Sequence, residues 1–167
     1  CWDMQRTEFP AAQTLQQFPI VVLSCSWLGG LFSELERNAL MTYLDGGGNL
    51  FICGQDIGWI LYKWVGTPET KAFMRDYLHA DYLADVSEDQ QVKGVAGDPI
   101  SSDMAFHVWQ PGLIADWQAP DVIMPTAGAS TIFTYSNGRS AAVKYAGDYK
   151  VVYFGFGGLE AVDSYAN

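Results

Sequence analysis

The stretch that decides the fold begins with Pro19-Ile-Val-Val-Leu-Ser-Cys25 and ends with Asn49-Leu-Phe-Ile-Cys53. Both runs are short and apolar, which is typical of strands buried on both faces of a parallel sheet. Between them, Ser33-Glu-Leu-Glu36 has the pattern of a capping box, and apolar residues recur at helical spacing as far as Leu44. Asp45-Gly-Gly-Gly48 ends this helix, because glycine adopts a left-handed conformation without steric cost. Strand, helix and strand over this length predict a right-handed βαβ unit.

The residues on either side of this unit predict further helices. We expect a short helix over Ala11–Gln17, another over Gln55–Trp64, and a third that starts at Thr67-Pro68 and ends near His79. The chain from Asp81 to Pro120 is acidic and rich in turn residues. A long segment of this kind without clear periodicity is typical of a functional or partner-facing insertion.

Strand-like segments return in the last third of the chain. They are Asp121–Met124, Thr131–Tyr135, Ser140–Tyr145 and Lys150–Phe154. Ser136-Asn-Gly138 is a hairpin signal, so we expect antiparallel strands here, with the last strand returning to the main sheet. Both ends look cut, because a complete doubly wound domain has a further strand and helix before Trp2. The expectation is a single α/β domain over residues 1–167, truncated at both ends.

The composition excludes several classes of partner. The 167 residues are 49% hydrophobic and 17% charged, which is enough apolar material for a core. Nine Lys and Arg stand against nineteen Asp and Glu, a net charge of −10. Nucleic acids and anionic membranes attract basic surfaces, so we expect neither as a partner. The sequence has no apolar run of about 20 residues and no signal-peptide pattern. Its three cysteines, Cys1, Cys25 and Cys53, are too few for a disulfide framework.

Two motifs resemble a known superfamily. Gly48-Asn-Leu-Phe-Ile-Cys-Gly-Gln-Asp-Ile-Gly58 and Tyr149-Lys-Val-Val-Tyr-Phe-Gly-Phe-Gly157 are similar to the class I glutamine amidotransferase-like superfamily, in particular to its non-amidotransferase (ThuA-like) domains in large secreted bacterial proteins. The resemblance implies a flavodoxin-like three-layer sandwich with a mainly parallel central sheet and a partly antiparallel, loop-rich C-terminal half. It also implies a secreted or cell-surface location.

Cys53 is the sharpest candidate for chemistry. It ends a predicted strand and precedes Gly54 and a helix, as in a nucleophile elbow, where a helix N-terminus lowers the pKa of a thiol. A reactive cysteine also needs a base, and the sequence contains only His79 and His107. Neither follows a late strand, where enzymes of the superfamily carry H-x-E. We therefore favour an inert buried thiol. A cysteine-dependent hydrolase with His79 or His107 as the base is the alternative.

The end of the predicted parallel sheet is also the expected ligand-binding crevice. Polar groups just beyond the carboxyl ends of parallel strands face the cleft in which α/β folds bind ligands. The residues predicted to line this crevice are Cys25, Trp27, Cys53, Gly54, Gln55 and Asp56. For Asp56, a competing interpretation is that its carboxylate caps the helix that follows.

Acidic and aromatic residues suggest two further sites. The acidic residues after the third helix are Asp81, Asp85, Glu88, Asp89 and Asp98, of which Asp85, Glu88 and Asp89 are candidate Ca²⁺ ligands. No D-x-D-x-D-G loop is present, so a solvated acidic surface is the simpler interpretation. The aromatic residues Trp59, Tyr62, Trp64, Trp109 and Trp117 could stack on sugars, although tryptophan is more often a core or domain-contact residue.

These observations favour a non-catalytic ligand-binding or accessory domain of a larger protein. We expect no cofactor, because the sequence has no P-loop, G-x-G-x-x-G, H-E-x-x-H or C-x-x-C motif. The expected partners are a small-molecule or carbohydrate ligand and the other domains of a parent chain. Besides the hydrolase, a carbohydrate-binding or carbohydrate-processing domain is the remaining alternative.

Overall fold

The computed structural model describes residues 8–25, 32–85, 91–108 and 119–157. The helical elements are α1 (Ala12–Leu15), α2 (Glu34–Asp45), α3 (Ile57–Trp59), which continues as a π-helical turn over Ile60–Trp64, and α4 (Pro68–Asp76). The strands are β1 (Ile20–Ser24), β2 (Asn49–Cys53), β3 (Ala80–Asp85), β4 (Gln91–Gly94), β5 (Ala105–His107), β6 (Asp121–Pro125), β7 (Ala129–Tyr135), β8 (Ser140–Ala146) and β9 (Lys150–Phe154). None of the helices in these ranges has the length and apolarity needed to cross a membrane.

The local predictions around α2 and α4 are confirmed. The Ser33 hydroxyl accepts from the Glu36 amide at 3.4 Å, and the Glu36 carboxylate accepts from the Ser33 amide at 2.7 Å, so the capping box is complete. Thr67 caps α4 through the Thr70 amide at 3.3 Å, with proline at the first helical position. β1 and β2 pair in parallel around α2, as the βαβ prediction requires.

The main sheet is mixed. Its strand order is β1-β2-β9-β8-β7-β4-β5. β1, β2 and β9 are parallel, while the pairs β9–β8, β8–β7, β7–β4 and β4–β5 are antiparallel. β3 and β6 form a separate antiparallel pair, in which Asp85 lies opposite Asp121.

The predicted fold class is therefore wrong in its main feature. The seven strands form a mixed sheet that curls into a half-barrel, not the mainly parallel centre of a three-layer flavodoxin-like sandwich. The reason lies in the short connections of the second half. The turn at Ser136–Arg139 joins β7 to β8, and the turn at Gly147–Tyr149 joins β8 to β9. A parallel connection needs a crossover of about a dozen residues, so these turns force neighbouring strands to run antiparallel.

Two apolar clusters fill the two sides of the curled sheet. The first joins the helices to one face of the sheet, with Leu40 and Leu44 of α2 packed with residues such as Ile52 and Tyr153. The second consists of strand and loop residues, among them Cys53, Phe133, Phe154 and Phe156. In the second cluster the curled sheet itself supplies the packing partners that a second helical layer would supply in a sandwich.

Two further expectations are corrected. β1 is an edge strand of the main sheet, and Val22 is 64% exposed, so β1 is not buried on both faces. The segment from Asp81 to Pro120 is not irregular throughout, because β3, β4 and β5 lie within or at the start of it. The last strand, β9, does return to the main sheet between β2 and β8.

Candidate functional site

Three carboxylates meet near the carboxyl end of β2. They belong to Asp56, Asp85 and Asp121, and one carboxylate oxygen of each lies within 4.8 Å of the others. We call this group the carboxylate cluster. Asp56 follows β2, Asp85 ends β3 and Asp121 begins β6, so three separate parts of the chain contribute to it.

The backbone fixes the position of each carboxylate. Asp56 adopts a left-handed conformation with φ of 64°, which turns the chain from β2 into α3. Asp85 and Asp121 lie opposite each other in the β3–β6 ladder. The Asp121 amide donates to the Gly155 carbonyl at 2.6 Å, which holds the start of β6 against the segment that follows β9.

Asp121 is the most deeply buried member of the cluster. Its side chain is fully buried and accepts hydrogen bonds from the amides of Gly58 at 2.6 Å and Trp59 at 3.4 Å. The Tyr153 hydroxyl donates to it at 3.4 Å. Asp121 therefore caps the start of α3 from another part of the chain. Asp56, which occupies the N-cap position, forms no capping hydrogen bond, so the competing interpretation of Asp56 as the cap is wrong.

The other two carboxylates are also held by hydrogen-bond donors. The Tyr82 hydroxyl donates to Asp85 at 2.7 Å, and the Gln55 amide donates to Asp56 at 3.4 Å. Hydrogen bonds of this kind orient the carboxylates that bind metal ions in proteins. Within the described ranges no lysine or arginine forms an ion pair with the cluster.

Burial and the repulsion between neighbouring carboxylates determine the electrostatics of the cluster. Burial raises the pKa of Asp56 to about 6, with a further contribution from the charge of Asp85. Burial also raises the pKa of Asp121 well above its usual range, and the charges of Asp56 and Asp85 act in the same direction. Burial together with the hydrogen bond to Asp85 raises the pKa of the Tyr82 hydroxyl. The cluster thus has two ways to relieve repulsion, which are to bind protons or to bind a cation.

A glycine makes the close approach of α3 possible. A Cβ atom on Gly58 would lie 2.9 Å from Cδ2 of Tyr82 and 3.0 Å from Oδ2 of Asp121. Real Cβ atoms do not approach neighbours so closely, so any side chain at this position would separate α3 from the cluster.

Cys53, the candidate nucleophile, lies in an apolar environment, as the prediction of an inert buried thiol requires. Cys53 is fully buried in the second apolar cluster, next to residues such as Phe154. Cys25 is buried beside it, and its amide donates to the Cys53 carbonyl at 2.8 Å. Burial is the largest factor that raises the pKa of the Cys25 thiol. Gly54 packs tightly at the same place, because a Cβ there would lie 2.6 Å from the Cys25 carbonyl oxygen.

Neither histidine is placed to serve Cys53 as a base. The His79 ring stacks on Tyr145 with centroids 3.4 Å apart, and its Nε2 lies 3.0 Å from the Tyr149 hydroxyl. Tyr149 precedes β9, whereas Cys53 pairs with Phe154 at the other end of that strand. Five residues of strand span roughly 16 Å. His79 therefore lies at the opposite end of the sheet from Cys53.

His107 points away from the cluster that contains Cys53. Its neighbour Phe106 packs its ring against Phe133 and Phe156 in that cluster, at centroid distances of 5.5 and 6.0 Å. Adjacent residues of a strand point to opposite faces, and His107 is exposed.

The remaining predicted residues divide into those that reach the cluster and those that do not. Gln55 and Asp56 of the predicted crevice are brought together with Asp85, one of the candidate Ca²⁺ ligands. Asp81 instead pairs with Arg75 at 3.6 Å and accepts from Tyr62, and Asp98 pairs with Lys144. The predicted residues Trp27, Glu88, Asp89, Trp109 and Trp117 lie outside the described ranges.

The aromatic residues of the π-helical turn lie close together at the surface. The Val65 amide donates to the Ile60 carbonyl at 2.9 Å, a spacing of five residues. This wider turn brings Trp59 and Trp64 into contact, with ring centroids 5.4 Å apart, and Trp64 is 64% exposed. A sugar-stacking role for these two rings stays a prediction.

No sequence pattern pointed to Asp121, Tyr82 or Tyr153 as parts of the site. The available signal was weak, since Asp121 is simply the polar residue before the apolar run Val122–Met124. An acidic residue just before an apolar run is common, because aspartate is frequent in the turns that precede strands. Only the pairing of β6 with β3 brings Asp121 to Asp85.

Comparisons with known proteins establish similarity of fold only. No protein-family model matches the chain, and no match is found among curated proteins. Two solved structures from Salmonella typhimurium are similar, cytoplasmic protein STM1381 of strain LT2 and cytoplasmic protein STM3548. Each aligns with a TM-score of 0.59 over 94% of this chain and 68% of its own, at 15% and 12% sequence identity respectively.

These comparisons correct two expectations. The mixed, curled sheet is not the parallel fold implied by the resemblance to the class I glutamine amidotransferase-like superfamily, and no family match supports that resemblance. The assignment to that superfamily is therefore wrong. The expected secreted or cell-surface location is contradicted as well, because both similar structures are cytoplasmic proteins by name.

Proposed function

We propose that the protein is a non-catalytic ligand-binding domain and that the carboxylate cluster binds a hard divalent cation, with Ca²⁺ as the best fit. The observation that carries this proposal is the convergence of Asp56, Asp85 and Asp121 within 4.8 Å, with no ion pair to a lysine or arginine among the described residues. Carboxylate oxygens are the ligands that Ca²⁺ and Mg²⁺ prefer in proteins.

The coordination that each ion demands favours calcium over magnesium. Ca²⁺ accepts about 6–8 oxygens at about 2.3–2.6 Å in a flexible arrangement. Mg²⁺ requires near-ideal octahedral geometry at about 2.0–2.1 Å and gives up its waters reluctantly. The carboxylates of the cluster come from three separate parts of the chain, and such a site suits the ion with the less strict geometry. The donors on Gly58, Tyr82 and Gln55 hold the carboxylates in place before the ion arrives.

The surroundings of Cys53 support a binding domain over a cysteine hydrolase. A thiolate nucleophile needs partial exposure and a base within hydrogen-bond reach. Cys53 is fully buried, while His79 contacts Tyr145 and Tyr149 at the other end of β9. Native labelling with iodoacetamide, read by peptide mass spectrometry, tests this separately. Cys25 and Cys53 should react only after unfolding, and rapid native alkylation of Cys53 would favour the hydrolase.

Thermal unfolding with and without calcium tests the cation proposal. The protein is freed of metal with EDTA, dialysed, and melted in CaCl₂, in MgCl₂, and in KCl at matched ionic strength. At a calcium concentration 100 times the Kd, binding to the folded state contributes about 2.7 kcal/mol. For a chain of this size, that corresponds to a rise in Tm of about 5–10 °C.

A matched pair of variants locates the effect. Asp85→Asn keeps the size of the side chain and can still accept from Tyr82, but it removes one charged ligand, so the calcium-dependent rise in Tm should largely disappear. Asp103→Asn makes the same chemical change at an exposed position away from the cluster and should leave the rise intact. If calcium stabilises the wild type no more than KCl does, or stabilises both variants equally, the proposal is wrong.

A further inference from the structure

A cavity lies at the opposite end of the parallel strands from the carboxylate cluster. It measures about 270 Å³ and is lined by Gln16, Phe18, Pro19, Tyr43 and the Gly46–Gly48 turn. Pro19 and Gly48 directly precede β1 and β2, whereas the cluster lies beyond the other ends of the strands. We call this space the glycine-turn cavity. Its properties do not depend on the proposed cation site.

The three glycines create the space. Gly46 has φ of −78°, and a Cβ there would lie 3.2 Å from the Gln16 amide nitrogen and 3.4 Å from the Thr42 and Tyr43 carbonyl oxygens. Gly47 has φ of 82°, which favours glycine, and no atom lies within 4 Å of where its Cβ would be. Gly48 packs so closely on the Tyr43 ring that a Cβ would lie 2.3 Å from Cζ. The turn therefore lines the cavity with bare backbone.

The cavity is rich in hydrogen-bond acceptors. Among the described residues, the carbonyl oxygens of Gly46 and Gly47 accept no backbone or side-chain hydrogen bond. The Tyr43 hydroxyl offers no spare donor, since its hydrogen is directed to the carbonyls of Phe18 at 3.1 Å and Asn49 at 3.0 Å. The exposed Gln16 side chain can turn its amide oxygen toward the cavity.

Several features of the cavity favour a cation. It lies at the C-terminus of the twelve-residue helix α2, where the helix dipole places partial negative charge. The last turn of α2 contains no basic residue, and α2 ends with Asp45. No lysine or arginine is among the residues that line the cavity. Of the two aromatic residues that line the cavity, Phe18 is 44% exposed, whereas Tyr43 is buried and packs against Gly48.

We propose that the glycine-turn cavity binds an alkylguanidinium group, such as the side chain of an arginine. A guanidinium is a planar cation with five N–H donors, so it can satisfy several carbonyl oxygens at once. Its flat face also stacks on aromatic rings, and Phe18, which lines the cavity, is 44% exposed. The size of the cavity suits a side chain or a small molecule.

Propylguanidinium chloride and its neutral analogue N-propylurea test this inference. Both are titrated into ¹⁵N-labelled full-length protein, and the amide signals of Gly46, Gly47 and Gly48 are followed. Propylguanidinium should shift these signals in a saturable manner, and higher NaCl should weaken its binding. N-propylurea has the same shape without the charge and should bind at least fivefold more weakly. Equal binding of both probes would overturn the proposal.

Variants of the cavity wall provide the second arm of the test. Gln16→Ala removes an exposed amide, and Gly46→Ala places a methyl group beside that amide at an ordinary φ, so both variants should fold. Each should weaken propylguanidinium binding at least fivefold. Gln17→Ala, which changes the adjacent exposed glutamine outside the cavity, should leave binding unchanged. If neither cavity variant alters binding, or if no glycine signal shifts with either probe, the inference is wrong.

Discussion

Replacing Asp56 by Asn should stabilise the metal-free protein at neutral pH and leave it unchanged at acidic pH. Burial and the charge of Asp85 raise the pKa of Asp56 from 3.8 to about 6 in the folded state. The folded protein therefore holds this proton more tightly than the unfolded chain does. The resulting stabilisation is complete below the pKa of unfolded aspartate and is lost as the pH rises through about 6.

The size of the effect follows from the change in pKa. A rise from 3.8 to about 6 corresponds to at most ~3 kcal/mol. Asp56 is only half-buried, so solvent screening reduces this value, and we expect about 1.5 kcal/mol. Asparagine resembles the protonated carboxyl group and tolerates the left-handed conformation at φ of 64°. The variant should therefore lack the loss of stability that Asp56 causes in the wild type between pH 3.5 and 7.5.

Urea unfolding in EDTA, followed by tryptophan fluorescence at both pH values, measures this difference. Asp103→Asn is the matched control, because Asp103 has the same φ of 64° but is exposed and lies outside the cluster. The control reports any general preference for asparagine in the left-handed conformation. The reasoning is refuted if Asp56→Asn changes stability equally at both pH values, or if it destabilises the protein at pH 7.5.

Three further predictions concern the packing that surrounds the site. Ser33→Ala should cost about 1 kcal/mol in urea unfolding, because the capping box of α2 loses an acceptor, and an unchanged midpoint would count against that cap. Gly58→Ala should destabilise by about 1–3 kcal/mol, since its Cβ would collide with Tyr82 and Asp121, whereas a gain in stability would show that α3 can move away. Burial lowers the pKa of His79, so protonation opposes folding and stability should fall as the pH drops below about 6.5. His79→Gln should reduce that loss, and an equal acid sensitivity of the variant would contradict this role.

The sequence by itself determined the features that depend on neighbouring residues. The capping box at Ser33, the start of α4 at Thr67-Pro68 and the hairpin at Ser136–Gly138 were predicted and are confirmed. Each is specified by a few adjacent residues whose hydrogen bonds or backbone angles close locally. The parallel pairing of β1 and β2 was predictable for the same reason, because a helix of α2's length connects them.

Only the tertiary structure decided the shape of the sheet and the composition of the site. A short apolar run looks alike in a parallel sandwich and in a curled mixed sheet, so the edge position of β1 and the antiparallel strands beyond β9 could not be read from periodicity. The Asp121 carboxylate accepts from the amide of Gly58, 63 residues away in the chain, and it meets Asp85 only because β6 pairs with β3. Contacts over such separations depend on how the whole chain closes on itself, and no local pattern encodes them.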